Sequence, residues 1–342
     1  MNAAKDIIRL DRIPEALLDI SATELHRLFP CPALIHLPGD RPEPLFISVL
    51  LHGNEISGLG AAQVLLKKYG NQRLPRAVSF FFGNVQAARQ GFRRLDGQPD
   101  FNRIWPGTEL EDCPETRWAL EIYREMLRLG VFASLDVHNN SGRNPHHACL
   151  ERLDGQTQNL AALFGRLAVY STYPKGSQTG AFASACPSVT LECGPPAEPY
   201  GVEHAVELIE ACLRLDVIPS QPPPATEIDL FNTLVQVKVR EGVRFSFSDP
   251  DADLLLLGDM DRLNFKELPP GTTLGRLRGD HPSGQIPFLA YTDEGQDVAD
   301  RYFQMEGDRL SLKRHVMPCM LSMDERIVRQ DCLCYLMERM HA

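Results

Sequence analysis

The sequence predicts an α/β protein with a mixed, mostly parallel central sheet flanked by helices, followed by a smaller C-terminal β-rich domain. Three features of the chain lead to this prediction. Short apolar runs alternate with longer amphipathic stretches between about Pro44 and Leu213. The proline-rich segment IPSQPPPATEID then interrupts this pattern. Beyond it, apolar and polar residues alternate in segments separated by Gly, Pro and Asp, which is typical of antiparallel strands.

Five apolar runs in the first part of the chain have the composition of buried strands. Each is rich in β-branched and aromatic residues and ends at a polar residue, Gly or Pro. The runs are LFISVLLH, AVSFFFGN, FASLDVHN, AVYSTYP and SVTLECG. The predicted helices are EISGLGAAQVLLKKYG, PETRWALEIYREMLRLG, GQTQNLAALFGRLA and GVEHAVELIEACLRL. Strands that alternate with helices imply a mostly parallel sheet that is covered on both faces.

A domain boundary is predicted between residues 215 and 216, because the prolines that follow form a stiff, extended connector. The α/β domain is residues 1–215 and the β-rich domain is residues 216–342. In the second domain, LVQVKVREGVRFSFSD and TLGRLRGDHPSGQIPFLAYTD predict antiparallel strands. The closing segment SMDERIVRQDCLCYLMERM predicts a terminal helix.

The composition excludes some classes of partner. A net charge of -10 argues against non-specific binding to nucleic acid or to an anionic membrane surface, since both require clustered Lys and Arg. The N-terminal segment lacks the continuous apolar core of a signal peptide, and no run reaches membrane-spanning length, so we expect a cytoplasmic protein. Nine cysteines, an odd number, do not indicate a disulfide framework. The oligomeric state stays open, and a homo-oligomer is one option.

Polar residues end several of the predicted strands, and ligands bind beyond the carboxyl ends of strands in open α/β sheets. Two histidines and a glutamate are a common catalytic zinc set, which leaves one coordination position for water. His52 and Glu55 come from one strand–helix turn, and His138 comes from another strand end. Asp136, two residues before His138, is placed to orient an imidazole. Alternatively, Glu55 is a first-turn carboxylate favoured by the helix dipole.

Two further groups of polar residues complete a possible hydrolytic site. Zinc hydrolysis requires a carboxylate that is not a ligand and that transfers the proton of water to the leaving group, and Glu192 suits this role. A solvated glutamate in the loop is the alternative. The segment RRLDGQPDFNRIWPG supplies arginines and an asparagine that can hold a carboxylate or an oxyanion. These arginines can also form surface salt bridges with Asp96 and Asp100.

Read in order, HGNE, DFNR, DVHNNSG and TLECG resemble the succinylglutamate desuccinylase/aspartoacylase family of the zinc carboxypeptidase clan. The resemblance covers roughly Leu45 to Gly194 and includes a C-terminal β domain of similar size. It implies one zinc ion per chain, held by His52, Glu55 and His138. It also implies that Glu192 is the base that activates water.

The same resemblance implies roles for the arginine-rich segment. Asn102 and Arg103 hold the substrate carboxylate. Arg93 or Arg94 stabilises the oxyanion, and we prefer Arg93 because GFR aligns with the glycine-x-arginine of the family. Family enzymes whose acyl chain bears a second carboxylate are expected to have a further arginine between the third ligand and the base.

That further arginine is missing from YPKGSQTGAFASAC, which weakens a specificity for succinylglutamate or acetylaspartate. Tyr173 and Lys175 are the candidate substrate contacts there, and Arg143 is a possible substitute for the arginine. His146 and His147 are expected to be substrate-side or surface residues rather than ligands.

The leading hypothesis is a zinc hydrolase that cleaves an amide bond of a small carboxylate-bearing substrate such as an N-acyl amino acid. Two alternatives remain. A metallocarboxypeptidase would use the same ligands on peptides, with a cleft open at one end, whereas a deacylase is expected to have its β domain, from about Thr226, closing the site. A zinc-binding sensor or scaffold would keep the fold without turnover.

Overall fold

The computed structural model describes residues 7–70, 72–140, 142–196, 198–278 and 285–340. The chain divides into two units. The first contains residues 1–139 and 146–229, and the second contains residues 140–145 and 230–342. The predicted boundary after residue 215 thus falls 14 residues before the main division (229 - 215), and whether the units are independent domains stays a prediction.

The described residues of the first unit form eight strands that lie side by side in one sheet. Its strands are β1 (Ile8–Leu10), β2 (Ala33–Leu37), β3 (Gly39–Val49), β4 (Leu74–Phe82), β5 (Ala133–His138), β6 (His147–Leu150), β7 (Leu167–Tyr170) and β8 (Ser188–Glu192). The order across the sheet is β1-β2-β4-β3-β5-β8-β6-β7. Strands β4, β3, β5 and β8 are mutually parallel, whereas β2 and β6 each run antiparallel to a neighbour. The predicted mixed, mostly parallel sheet is confirmed.

Six helices accompany this sheet. They are α1 (Ser57–Tyr69), α2 (Val85–Gln90), α3 (Pro114–Arg128), α4 (Gly155–Phe164), α5 (Gln178–Phe182) and α6 (Pro199–Arg214). The four predicted helices correspond to α1, α3, α4 and α6. The predicted α4 segment was too long, because Gly165 ends the helix in an extended conformation and the chain continues into β7.

The second unit contains two groups of strands. Strand β9 (Asp229–Val239) begins at the last residue of the first unit and is followed by β10 (Phe245–Ser246), β11 (Leu254–Leu256), β12 (Thr273–Leu277), β13 (Phe288–Tyr291), α7 (Ala299–Tyr302), β14 (Phe303–Glu306), β15 (Arg309–Leu312), β16 (Met317–Cys319), α8 (Glu325–Gln330) and β17 (Cys334–Arg339). Strand β9 pairs antiparallel with β13 and β17, and a separate five-stranded sheet has the order β10-β11-β12-β15-β14. The C-terminal β-rich prediction is confirmed.

One prediction for this unit was wrong. The closing segment was predicted as a helix, but only Glu325–Gln330 is helical and Cys334–Arg339 is a strand paired with β9. Leu336 and Met337 pack into the sheet there. Part of the predicted strand segment TLGRLRGDHPSGQIPFLAYTD, residues 279–284, lies outside the described residues, as do residues 1–6. No described helix is both long and apolar enough to cross a membrane.

Arg76 is a fully buried cation on β4 and lies far in sequence from its partners. Its guanidinium donates to the carbonyls of Glu43 and Leu215 at 2.9 Å each. It also lies 3.6 Å above the ring centroid of Phe132. Through these two hydrogen bonds, Arg76 links β4 to Glu43 on β3 and to Leu215 in the segment after α6.

We expect Arg76→Met to lower the free energy of unfolding by about 3 kcal/mol, since the carbonyls of Glu43 and Leu215 would both lose a charged donor. Urea denaturation measures this change. The control is Arg73→Met, which removes an ion pair of Asp40 with about two-thirds of each side chain exposed and should cost less than about 1 kcal/mol. Equal losses in the two variants would contradict the assignment.

Candidate active site

The turn after β3 brings His52 and Glu55 to the carboxyl edge of the first-unit sheet. Gly53 is required in this turn, because a Cβ atom there would lie 2.1 Å from the backbone nitrogen of Ala88. The Gly53 N–H donates to the carbonyl of Arg93 at 3.0 Å, and the Glu55 N–H donates to the carbonyl of His52 at 3.2 Å. The HGNE turn is therefore fastened to the arginine-rich segment.

Three buried side chains converge at this edge: His52, Glu55 and His138. One ligand atom from each lies within 4.8 Å of the others. The Nδ1 atom of His52 is 2.8 Å from Glu55 Oε1, and that of His138 is 2.6 Å from Glu55 Oε2. The two Nδ1 atoms are 3.1 Å apart. The structure thus brings together the three predicted ligands from two distant parts of the chain.

The chemistry of these side chains suits a small divalent ion. Neighbouring ligands of tetrahedral zinc are separated by about 3.3 Å, whereas the ligand atoms here are 3.1 Å apart between the Nδ1 atoms and 2.6 to 2.8 Å apart between nitrogen and oxygen. Two imidazoles and one carboxylate are a donor set found in catalytic zinc sites. Within the described part of the chain, this is the one group of three or more His, Cys, Asp or Glu residues with such geometry. The donor set can therefore hold one metal ion.

A second carboxylate orients each imidazole. His138 Nε2 lies 2.7 Å from Asp136 Oδ2, and His52 Nε2 lies 3.0 Å from Asp100 Oδ1. Asp136 and Asp100 therefore orient the two rings from the Nε2 side, and each Nδ1 is directed at Glu55. Asp136 is itself held by the hydroxyl of Ser48, which donates to it at 2.6 Å. The predicted proximity of Asp136 to an imidazole is therefore confirmed.

The site concentrates buried negative charge. Burial acts to raise the pKa values of Glu55 and Asp100, but nearby cationic groups outweigh it and hold both pKa values below their usual range. Burial likewise acts to lower the pKa of His138, but Asp136 and Glu55 raise it well above its usual value. For His52, burial and Arg93 lower the pKa, whereas Glu55 and Asp100 raise it to a net increase. A bound cation would compensate this negative charge.

Arg93 and Arg94 occupy different surroundings. The Arg93 guanidinium lies 3.4 Å from Glu55 Oε1 and 3.3 Å from Asp100 Oδ2, and its side chain is 10% exposed. Arg94 instead donates to the backbone carbonyl of Gln98 at 2.8 Å. Arg93 is therefore the arginine shown in contact with the ligand cluster, while the oxyanion role of either residue stays a prediction.

Glu192 lies beside a predicted ligand on the neighbouring strand. It is the last residue of β8 and is paired in register with His138 on β5. Its side chain is buried, so the alternative of a solvated loop residue is wrong. The parallel strands β3, β5 and β8 thus place the cluster and Glu192 at a single edge, which is the arrangement expected of a ligand and base set.

Comparison with protein families accounts for this arrangement. A model of the succinylglutamate desuccinylase/aspartoacylase catalytic domain matches residues 43–215, just over half of the chain. The chain belongs to this family. The resemblance seen in the sequence is thereby confirmed, and the match spans the His–Glu–His cluster and Glu192. A comparison with curated protein sequences gives no significant match.

Several solved structures share the fold. The succinylglutamate desuccinylase from Chromobacterium violaceum is 17% identical with a TM-score of 0.58, covering 90% of this chain and 89% of that chain. Murine aminoacylase 3 is 17% identical with a TM-score of 0.52, and the match covers 88% of this chain and 96% of that chain. The product-bound ectoine utilization protein EutE (DoeB) from Ruegeria pomeroyi is 13% identical with a TM-score of 0.55, covering 90% and 88%. At these identities the likeness shows the fold alone.

Asn102, in the DFNR segment, contacts the cluster, and Arg103 is the next residue along the chain. Asn102 Nδ2 is 3.3 Å from His138 Nε2, and its Oδ1 accepts from the backbone N–H of Gln178 at 2.9 Å. Arg103 donates to the carbonyl of Asn102 at 2.6 Å. The pair is thus adjacent to the cluster, and its predicted hold on a substrate carboxylate stays a prediction.

Tyr173 and Lys175 belong to a loop that rests on the same motif. The carbonyl of Gly176 accepts from the backbone N–H of Trp105 at 3.1 Å, so the loop is bound to the segment that follows Arg103. Tyr173 is partly buried and Lys175 is exposed. These contacts bring the loop to the Asn102–Arg103 segment, and the predicted substrate contacts remain predictions.

The other sequence candidates have different surroundings. Arg143, with 65% of its side chain exposed, pairs with Asp261 at 3.2 Å, both within the second unit. His147 is buried on β6 in register with Glu192, so a surface position for it is wrong. His146 is half-buried, and its Nδ1 lies 2.9 Å from His204 Nδ1. Neither His146 nor His147 is in the metal-ligand group.

Sequence reasoning gave no role in the site to Asp100, Ser48 or Asn139. From the sequence, Asp100 was a candidate for a surface salt bridge with a nearby arginine. Its side chain is only 13% exposed and contacts both His52 and Arg93. The available signal was its position at the start of DFNR, two residues before Asn102. Ser48 carried no sequence signal, because its partner Asp136 is 88 residues away.

We expect Asp136→Asn to weaken metal binding by about 10- to 100-fold, because the neutral amide holds the His138 imidazole less well. Competition with a chelator at fixed pH measures the affinity. The matched control is Asp112→Asn, which removes an exposed surface partner of Arg117. Unchanged affinity in Asp136→Asn would show that this carboxylate does not support the ligand.

Proposed function

We propose that the protein is a zinc-dependent hydrolase that cleaves an amide bond of a small carboxylate-bearing substrate, acting as an N-acyl amino acid deacylase. One observation supports this above all others. The His52–Glu55–His138 group and the buried Glu192 meet at the ends of neighbouring parallel strands. Membership of the succinylglutamate desuccinylase/aspartoacylase family supports the same reaction class.

Zinc is the metal that we propose for this site, at one ion per chain. Two imidazoles with one carboxylate suit zinc, and its Lewis acidity polarises a carbonyl and lowers the pKa of water. His52 and His138 would bind through Nδ1, because Asp100 and Asp136 engage the opposite nitrogen of each ring. Glu55 would complete the protein ligands.

Each remaining side chain has one proposed task. Glu192 accepts the proton of the attacking water and passes it to the departing amine, so the proton stays within the site. Arg93 stabilises the negative charge that develops on the carbonyl oxygen, since its guanidinium already lies beside Glu55. Asn102 and Arg103 hold the substrate carboxylate and thereby orient the amide.

The proposed substrate carries a free carboxylate on its amino acid half. Tyr173 and Lys175 are proposed to contact the acyl half, since their loop is bound to the segment after Arg103. A lysine is a weaker carboxylate clamp than an arginine because it lacks the planar fork. We therefore propose that the acyl half of the substrate does not carry a second carboxylate that the protein binds strongly.

A panel of N-acyl amino acids that varies both halves tests this proposal, with metal content quantified on the same protein. We expect hydrolysis of acyl amino acids in preference to peptides. Preferred release of C-terminal residues from peptides would establish the metallocarboxypeptidase alternative. Stoichiometric metal without hydrolysis of any compound would establish the sensor or scaffold alternative.

We expect Glu192→Gln to lower kcat by about 10²- to 10⁴-fold while metal stays bound, because the amide cannot accept the proton of water. The control is Glu198→Gln, an exposed carboxylate shortly after Glu192 in the chain. Steady-state kinetics and metal analysis provide the two readouts. Retained turnover in Glu192→Gln would remove this residue from the proposed mechanism.

The two neighbouring arginines are distinguished by parallel substitutions. Arg93→Met should lower kcat by about 10²- to 10³-fold, as expected for an oxyanion donor. Arg94→Met should have a smaller effect on kcat, since its described contact is with the carbonyl of Gln98. Metal content must be measured in both, because Arg93 contacts Glu55. A larger loss in Arg94→Met would reverse the assignment.

A further inference from the structure

Asn139, the residue after His138, makes four hydrogen bonds to two other segments of the first unit. Its Oδ1 accepts from the backbone N–H of Ser57 at 3.0 Å. Its Nδ2 donates to the hydroxyl of Ser57 and to the carbonyl of Gly194, both at 2.8 Å. Its backbone N–H donates to Glu55 Oε2 at 3.1 Å. The side chain is buried, so these bonds replace water entirely.

These partners flank the proposed catalytic groups. Ser57 is two residues after Glu55 and is the first residue of α1. Gly194 is two residues after Glu192. The backbone ladder between β5 and β8 extends to Cys193, whose N–H donates to the carbonyl of His138 at 3.0 Å. The side-chain amide of Asn139 therefore binds the carbonyl of Gly194, one residue beyond this backbone hydrogen bond and two residues after the proposed base Glu192.

The backbone conformation and the surroundings of residue 194 both favour glycine. Its φ of +68° lies in the left-handed region, which favours glycine. A Cβ atom at this position would lie 2.9 Å from His146 Nε2. The Gly194 carbonyl is thus aimed at Asn139 by a conformation that the sequence selects.

We propose that Asn139 is a positioning residue, which fixes the segment after Glu192 relative to the start of α1 and so holds the base in register with the ligand Glu55. This inference rests on the proposed role of Glu192. An asparagine is required because it offers an acceptor to Ser57 and a donor to Gly194 from one planar group. An aspartate of the same shape keeps the acceptor but sets an oxygen against the Gly194 carbonyl.

The main test compares Asn139→Asp with a matched control. We expect Asn139→Asp to lower kcat by about 10- to 100-fold with little change in KM, because the base rather than substrate binding is displaced. Asn159→Asp is the control, since its Nδ2 donates to the carbonyl of Gly155 on α4 and to those of Pro219 and Gln221 after α6. It should leave kcat unchanged. Equal kcat values for wild type and Asn139→Asp would overturn the proposal.

A double-mutant cycle shows whether Asn139 acts through Glu192. In the Glu192→Gln background, Asn139→Asp should cost little further activity, since the group that it positions is already removed. A full additional loss would overturn the proposal. If Asn139→Asp does not fold, Asn139→Ser serves instead, because it is neutral and too short to reach the Gly194 carbonyl.

Hydrogen exchange separates failure of this inference from failure of the proposed function. Peptides that contain Cys193 and Gly194 should exchange faster in Asn139→Asp than in wild type, whether or not any substrate is hydrolysed. Unchanged exchange would overturn the link itself. Faster exchange in a protein that is inactive on every acyl amino acid would support the link and reject the function instead.

Discussion

The carboxylate of Glu55, buried between the imidazoles of His52 and His138, is the interaction on which the rest of the site depends. A buried carboxylate is stable only if cationic groups and hydrogen bonds compensate its charge. The two imidazoles, Arg93 and the backbone N–H of Asn139 all contact Glu55. Asp100 and Asp136 then add negative charge behind the rings, which directs both Nδ1 atoms inward. A divalent cation bound among these atoms would compensate the negative charge that the fold has buried.

The parallel sheet explains why residues from distant segments meet. Strands β3, β5 and β8 run in one direction, so the turn after β3, the last residue of β5 and the last residue of β8 all lie at one edge. Short-range constraints then adjust the local geometry. Gly53 permits the close approach of the HGNE turn to α2, and Gly194 turns the chain after Glu192. The strand topology brings these side chains to one edge of the sheet, and the two glycines allow the backbone conformations that place them.

The sequence predicted the elements whose apolar pattern is strong. Strands β3, β4, β5 and β8 lie in continuous buried runs, and α3 begins with Pro114 and ends just before Gly130. Strands β1, β2 and β6 were not predicted, and two of them, β1 and β6, are only three and four residues long. Strand β17 was misread as a helix, since its pairing with β9 lies about 100 residues away and leaves no local signal.

The ligand set and Glu192 were predictable because they end recognisable strands and match family motifs. Their supporting contacts were not, since Ser48 with Asp136 and Asp100 with His52 join residues 88 and 48 positions apart. The ring nitrogen that faces the ligand cluster depends on such contacts and is set by the tertiary structure alone. Asn139 illustrates the same limit, because its amide has partners on two other segments.

We propose that His52, Glu55 and His138 bind one divalent metal ion, with both imidazoles bound through Nδ1. Anomalous diffraction from crystals of the purified protein, collected on both sides of the zinc absorption edge, tests it most directly. We expect one anomalous peak per chain, within bonding distance of both Nδ1 atoms and the Glu55 carboxylate. A metal bound through Nε2, or bound only elsewhere in the chain, would contradict it.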